Sequence, residues 1–72
     1  MPITKANLEH WFTYHAPDGQ QLEAYEKIRE VGLSFATTIL DLTPASADQT
    51  AAIRKVREAV MTANAAIACG GQ

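Results

Sequence analysis

The sequence predicts an all-α fold, a short N-terminal helix followed by a long antiparallel helical hairpin, forming a single domain over residues 1–72 that assembles as a homo-oligomer. Three observations predict it. Two long stretches carry apolar residues at alternating steps of three and four, the spacing of helices that pack in pairs. A Thr43-Pro44-Ala45-Ser46 break separates the two stretches. The apolar face of the first stretch is also wider than one antiparallel partner covers.

The first element runs from Thr4 to about Phe12. Thr4 has the chemistry of an N-cap, and Leu8, Trp11 and Phe12 follow at helical spacing. A helix this short is marginal alone, so the aromatic rings of Trp11 and Phe12 are expected to clamp it onto the hairpin. Pro17 biases the residue before it toward extended backbone, and Asp18-Gly19 supplies turn chemistry, so a loop carrying Tyr14 and His15 comes next.

Asp18 and Gln21 read as a capping-box variant that opens the longest helix. Its seam is read as Tyr25, Ile28, Gly32, Phe35, Ile39 and Leu42, with Leu33, Ala36 and Leu40 as a neighbouring stripe. Gly32 costs about 1 kcal/mol in a helix interior, which implies a close helix contact or a bend. Thr43-Pro44 ends the helix, because proline disfavours helical geometry at the preceding residue and donates no hydrogen bond. Ser46 with Gln49 reads as a further capping box, so the last helix starts at about Ala47. Ile53, Val56, Val60, Ala63 and Ile67 form its seam down to a stop at Gly70-Gly71.

Size makes self-association the expected remedy for a thin core. A chain of 72 residues buries little surface, and the usual staples are missing: Cys69 is the one cysteine, and no Cys or His grouping has the spacing of a structural zinc site. No metal and no cofactor are expected. The formal charge of −2, with Lys5, Lys27, Arg29, Arg54, Lys55 and Arg57 as the cations, argues against a DNA-binding surface. No apolar run reaches the roughly 20 residues of a membrane span, and the N-terminal residues lead into no signal-peptide core, so a cytosolic protein is expected.

Few residues carry chemistry. His10 and His15 have no neighbouring nucleophile, so no catalytic dyad is expected, and His10 reads as an exposed or interfacial side chain. Tyr14 combines a flat face that can stack on a base with a hydroxyl that can reach a phosphate. Lys27 and Arg29 fit a solvated face, with Glu23 and Lys27 as an i,i+4 pair; Arg54 and Glu58, Lys55 and Arg57 have the same plain account. Asn64 fits a register-setting amide in an oligomer interface, or one that reads a nucleobase edge. Cys69 reads as a small apolar filler at a helix end.

Three blocks carry a family resemblance: Phe12-Thr13-Tyr14-His15-Ala16-Pro17, then Tyr25-Glu26-Lys27-Ile28-Arg29, and Glu58-Ala59-Val60-Met61-Thr62-Ala63-Asn64-Ala65-Ala66-Ile67-Ala68. The chain resembles the phage anti-CBASS cyclic-nucleotide sponges, whose hairpin domain is shared with sponges acting against TIR-derived signals. The resemblance runs from about Trp11 to Ala68, and its last block is the most specific. The chain departs from the family pattern at Thr62, where an aromatic residue often follows the Val-Met pair, at Leu42-Thr43-Pro44, where Cys-Pro is common, and at Arg57, where an acidic residue is frequent.

The resemblance implies a phage protein acting in the cytoplasm of an infected bacterium. There it sequesters the cyclic oligonucleotide messengers of CBASS cyclases and so blocks effector activation without degrading them. It implies hexamers, with pockets between protomers for cyclic dinucleotides such as cyclic GMP-AMP and separate sites for trinucleotides such as cyclic tri-adenylate. Carried over position by position, it gives base stacking to Tyr14 and phosphate neutralisation to Lys27. Phe12, His15 and Arg29 are further ligand contacts, and Asn64 and Arg57 on the last helix are candidates for the trinucleotide site. The competing reading from a different class is a structural helical oligomerisation module of a phage protein, with no nucleotide ligand. A phosphodiesterase acting on the same messengers is not expected, because such chemistry requires metal ligands or an acid–base pair that the sequence does not assemble.

Overall fold

The computed structural model describes residues 2–71. Among these, α1 spans Lys5–Trp11, α2 spans Gly19–Leu42 and α3 spans Ala47–Ala68, with no strand. Each start lies where the sequence puts a cap. Asn7 N–H donates to Thr4 Oγ1 at 3.1 Å while Thr4 N–H donates to Asn7 Oδ1 at 3.0 Å, a reciprocal box that opens α1. At α2 the same box joins Asp18 and Gln21, with Gln21 N–H on Asp18 Oδ1 at 2.8 Å and Asp18 N–H on Gln21 Oε1 at 3.1 Å.

The third cap departs from expectation. Gln49 N–H donates to Ser46 Oγ at 3.1 Å, but the Gln49 side chain does not return to Ser46. Its amide instead donates to Leu40 O at 3.3 Å and Thr43 O at 3.0 Å. The last carbonyls of a helix have no intrahelical donors, and the short turn carries Gln49 within reach of them. At the other end of α3, Gly71 N–H donates to Ala66 O at 3.0 Å and Gly70 N–H to Ile67 O at 3.2 Å. Gly70 and Gly71 have φ of 62° and 83°, so this Schellman closure uses backbone that residues with a Cβ rarely adopt.

α2 packs on α3 with Gln21 reaching Ile67, Gly32 against Val60 and Gln49 reaching Leu40, the order of an antiparallel pair, and α1 packs backbone-to-backbone against neither. The α3 seam is as the spacing predicts: Ile53, Val56, Val60, Ala63 and Ile67 are all half-buried. On α2 the seam is Tyr25, Ile28, Gly32, Ala36 and Ile39, whereas Phe35 and Leu42 are 58% and 79% exposed. A straight helix turns past a strict heptad by about 20° per seven residues, which brings Ala36 rather than Phe35 toward the partner. Gly32 marks a close contact, since a Cβ on it would lie 2.5 Å from Val60 Cγ2.

No described residue is buried. The hairpin measures 44 × 31 × 17 Å and exposes 5913 Å², where a compact monomer of this length exposes about 4,400 Å². Leu33, Phe35, Leu40, Leu42 and Met61 are all more than half exposed. Among the described residues, no helix is long and apolar enough to cross a membrane.

Candidate functional site

The loop between α1 and α2 projects its rings outward because its other side chains hold it from behind. Thr13 Oγ1 donates to Glu9 O at 2.5 Å, and His15 Nε2 donates to His10 O at 2.7 Å, folding the chain back over the end of α1. Phe12 and Tyr14, flanking Thr13, are left 86% and 84% exposed. The two rings expected to clamp α1 therefore divide. Trp11 lines a shallow cleft with Thr62, Ala65, Ala66 and Cys69 of the α3 end, whereas Phe12 stands in solvent. His15, read as a ligand contact, is half-buried and its Nε2 is engaged by the His10 carbonyl.

The basic candidates separate onto the two faces of the hairpin. Lys27 and Lys55 border a groove of about 640 Å³ whose floor is Ile28, Gly32, Val56 and Val60. Arg29 and Arg57 border a smaller groove of about 240 Å³ on the other face, beside Leu33 and Met61. Two positions along an α-helix turn the side chain by about 200°, so Lys27 and Arg29 diverge, and the same holds for Lys55 and Arg57. Antiparallel packing then pairs lysine with lysine and arginine with arginine. Lys55 carried no signal of its own in the sequence, since the pairing depends on the register between two helices. Among the described residues none of these four cations forms an ion pair, so the expected Glu23–Lys27 pair does not close.

Tyr14 and Phe12 border neither groove. Asn64 is half-buried in α3, and its Oδ1 is buried without a hydrogen-bond donor. An unsatisfied buried carbonyl of this kind costs about 1–3 kcal/mol.

One grouping was not visible in the spacing of the chain. His10, His15 and Cys69 converge at the open end of the hairpin, where one ring nitrogen from each histidine and Cys69 Sγ all lie within 4.8 Å of one another. His10 Nε2 donates to Cys69 O at 2.9 Å, and the two imidazole centroids are 4.5 Å apart. Local signals could not reveal it, because 59 positions separate His10 from Cys69.

A helical hairpin with no buried residue among those described, with cations along both grooves and aromatic rings at one end, defines a small domain that presents its cations and rings on open faces. The family model of the Acb2/Tad1 hairpin domain matches residues 4–68, and the chain belongs to that family of cyclic-nucleotide sponges with the hairpin domain. The match takes in α1 as well as the hairpin. Comparison with curated proteins and with solved structures found no match.

Proposed function

We propose that this chain binds and sequesters the cyclic di- and trinucleotide messengers of CBASS cyclases, without cleaving them, as a homohexamer in the cytoplasm of a phage-infected bacterium. Cyclic GMP-AMP represents the dinucleotide class and cyclic tri-adenylate the trinucleotide class. Family membership supports the cyclic-nucleotide class of ligand.

One observation carries the finer reading: the parts that a cyclic dinucleotide needs are present in one chain but apart. The exposed Phe12 and Tyr14 are stacking surfaces, and Lys27 with Lys55 is a pair of cations, yet the rings do not border the lysine groove. A neighbouring copy supplies what each chain leaves incomplete, and a symmetric interface supplies it twice. That doubling suits a ligand with two bases to stack on and two phosphodiester charges to neutralise. Arg57 and Asn64 on α3 are assigned to the trinucleotide site, and Arg29, which borders the same groove as Arg57, moves to it from the dinucleotide contact expected of it.

The surface area supports association with more than one neighbour. The chain exposes roughly 1,500 Å² more than a compact monomer of its length, and a standard interface takes about 800 Å² from each partner. His15 acts in this reading as the post that holds Tyr14 outward, through its bond to His10 O.

Calorimetry with cyclic dinucleotides, followed by heating and recovery of the ligand, tests the proposal. Saturable binding with intact ligand released on denaturation is expected, alongside a hexamer in native mass measurement. Cleaved ligand would make the protein an enzyme. A hexamer without nucleotide affinity would leave the structural oligomerisation module as the correct reading.

A further inference from the structure

We infer that His10, His15 and Cys69 form a transition-metal site, with zinc as the metal, that ties the end of α1 and the aromatic loop to the end of α3. The donor set is two imidazoles and one thiol, with one ligand atom from each within 4.8 Å of the others. Donors around a tetrahedral zinc lie roughly 3.3–3.6 Å apart, given metal–ligand bonds of about 2.0–2.3 Å. Side-chain rotation by up to about 1.5 Å closes that difference, and all three side chains are only half-buried, which leaves room for it. Two imidazoles with one thiolate suit zinc, and water completes the fourth position.

A second observation points the same way. Each histidine has one ring nitrogen on a backbone carbonyl, His10 Nε2 on Cys69 O at 2.9 Å and His15 Nε2 on His10 O at 2.7 Å. A carbonyl only accepts, so each ring donates from Nε2, and Nδ1 is the nitrogen that each would turn to a metal. Metal-binding histidines are oriented in this way, with the second ring N–H donated to a carbonyl or carboxylate. The carbonyl that orients His10 belongs to the same residue that supplies the thiol.

The position of the cluster gives it a purpose. The chain lacks a disulfide and has no buried residue among those described, and chains this small commonly take a structural metal as a staple. Residues 11–14, which include the exposed Phe12 and Tyr14, lie between the two histidine ligands, so ligation at both ends restrains the loop. Only this consequence for the loop rests on the proposed nucleotide binding; the metal site itself does not.

Cobalt(II) titration of the reduced full-length chain tests the site, since thiolate ligation gives a near-ultraviolet charge-transfer band and tetrahedral geometry gives intense visible bands. The expected result is one cobalt per chain with both signals, displaced by zinc. Cys69→Ser should remove the charge-transfer band, and His10→Ala or His15→Ala should each weaken cobalt binding at least 10-fold, with helix content by circular dichroism confirming that the variants fold. Absence of the bands in the parent chain overturns the site. So does equal cobalt affinity in the double variant lacking both imidazoles, which would show an exposed thiol acting alone. Cobalt bands in a protein without nucleotide affinity would uphold the metal site while overturning the proposed function.

Discussion

The two ends of the hairpin solve the same problem by different routes. At the turn end, the last carbonyls of α2 receive the Gln49 amide, whose partners Leu40 and Thr43 lie nine and six positions back along the chain. At the open end, the last carbonyls of α3 receive His10 and Gln21, at separations of 59 and 46 positions. Closing a loop of about 59 residues costs roughly 1.7 kcal/mol more chain entropy than closing one of nine. The turn end is thus organised by its own connection. The open end closes only when α2 and α3 already lie in register, which makes it the sensitive reporter of that register.

The most disruptive test is to force the helices apart where they approach most closely. Val60 is β-branched and stiff in a helix, so it has little room to yield to a side chain at Gly32. Gly32→Val should lower stability by about 2–3 kcal/mol, the upper range for overpacking. Hydrogen exchange should show Gly70 and Gly71 losing protection before Thr50 does, because the open end depends on register. Exchanging the pair, Gly32→Val with Val60→Gly, should recover most of the loss in a double-mutant cycle. Additive losses in that cycle would disprove the close contact.

Next in size is a direct comparison of the two glutamines. Gln21 joins its cap through Oε1 and reaches the α3 end through Nε2, at 3.2 Å from Ile67 O in a part-buried setting. Gln21→Ala should therefore cost about 1–2 kcal/mol in chemical denaturation. Gln49→Ala removes bonds to exposed carbonyls that water can replace, and about 0.5–1 kcal/mol is expected. The reverse order would mean that the turn, not the register, limits stability. His10→Ala belongs with Gln21 at the open end. Loss of its bond to Cys69 O should cost about 1 kcal/mol and shift the fluorescence of Trp11 to the red as α1 detaches.

What the sequence made legible follows the same division. Thr4, Asp18 and Ser46 announced the helix starts because capping is decided within three residues, and Pro44 and Gly70 announced the stops. The α3 seam was legible too. Phe35 misled because a heptad reading assigns faces by a period of 3.5, and over a 24-residue helix the true period of 3.6 moves the seam to Ala36. Within the candidate site, the rings of the α1–α2 loop stood out by composition and turn chemistry. The lysine pair, the arginine pair and the His10–His15–Cys69 cluster did not, since each depends on which turn of one helix meets which turn of another. Periodicity assigns a residue to a face; it carries no information about what faces it.

The smallest expected change in stability is also the one that separates fold from function. Tyr14 is 84% exposed and Phe12 86%, so Tyr14→Ala and Phe12→Ala should each alter unfolding free energy by no more than about 0.5 kcal/mol. If these rings stack on the bases of a cyclic dinucleotide, the same substitutions should weaken its binding by about 10- to 100-fold, since stacking contributes roughly 1–3 kcal/mol per base. Gly32→Val cannot make this distinction, because displacing α2 from α3 disturbs both the open end and the lysine groove. A Tyr14→Ala variant destabilised as much as Gln21→Ala would place Tyr14 among the supports of the open end and remove it from the ligand surface. A variant equal to the parent in both stability and affinity would leave Lys27 and Lys55 to hold the nucleotide by charge alone. Binding of that kind is strongly salt-dependent, so repeating the titration at high ionic strength distinguishes it from stacking.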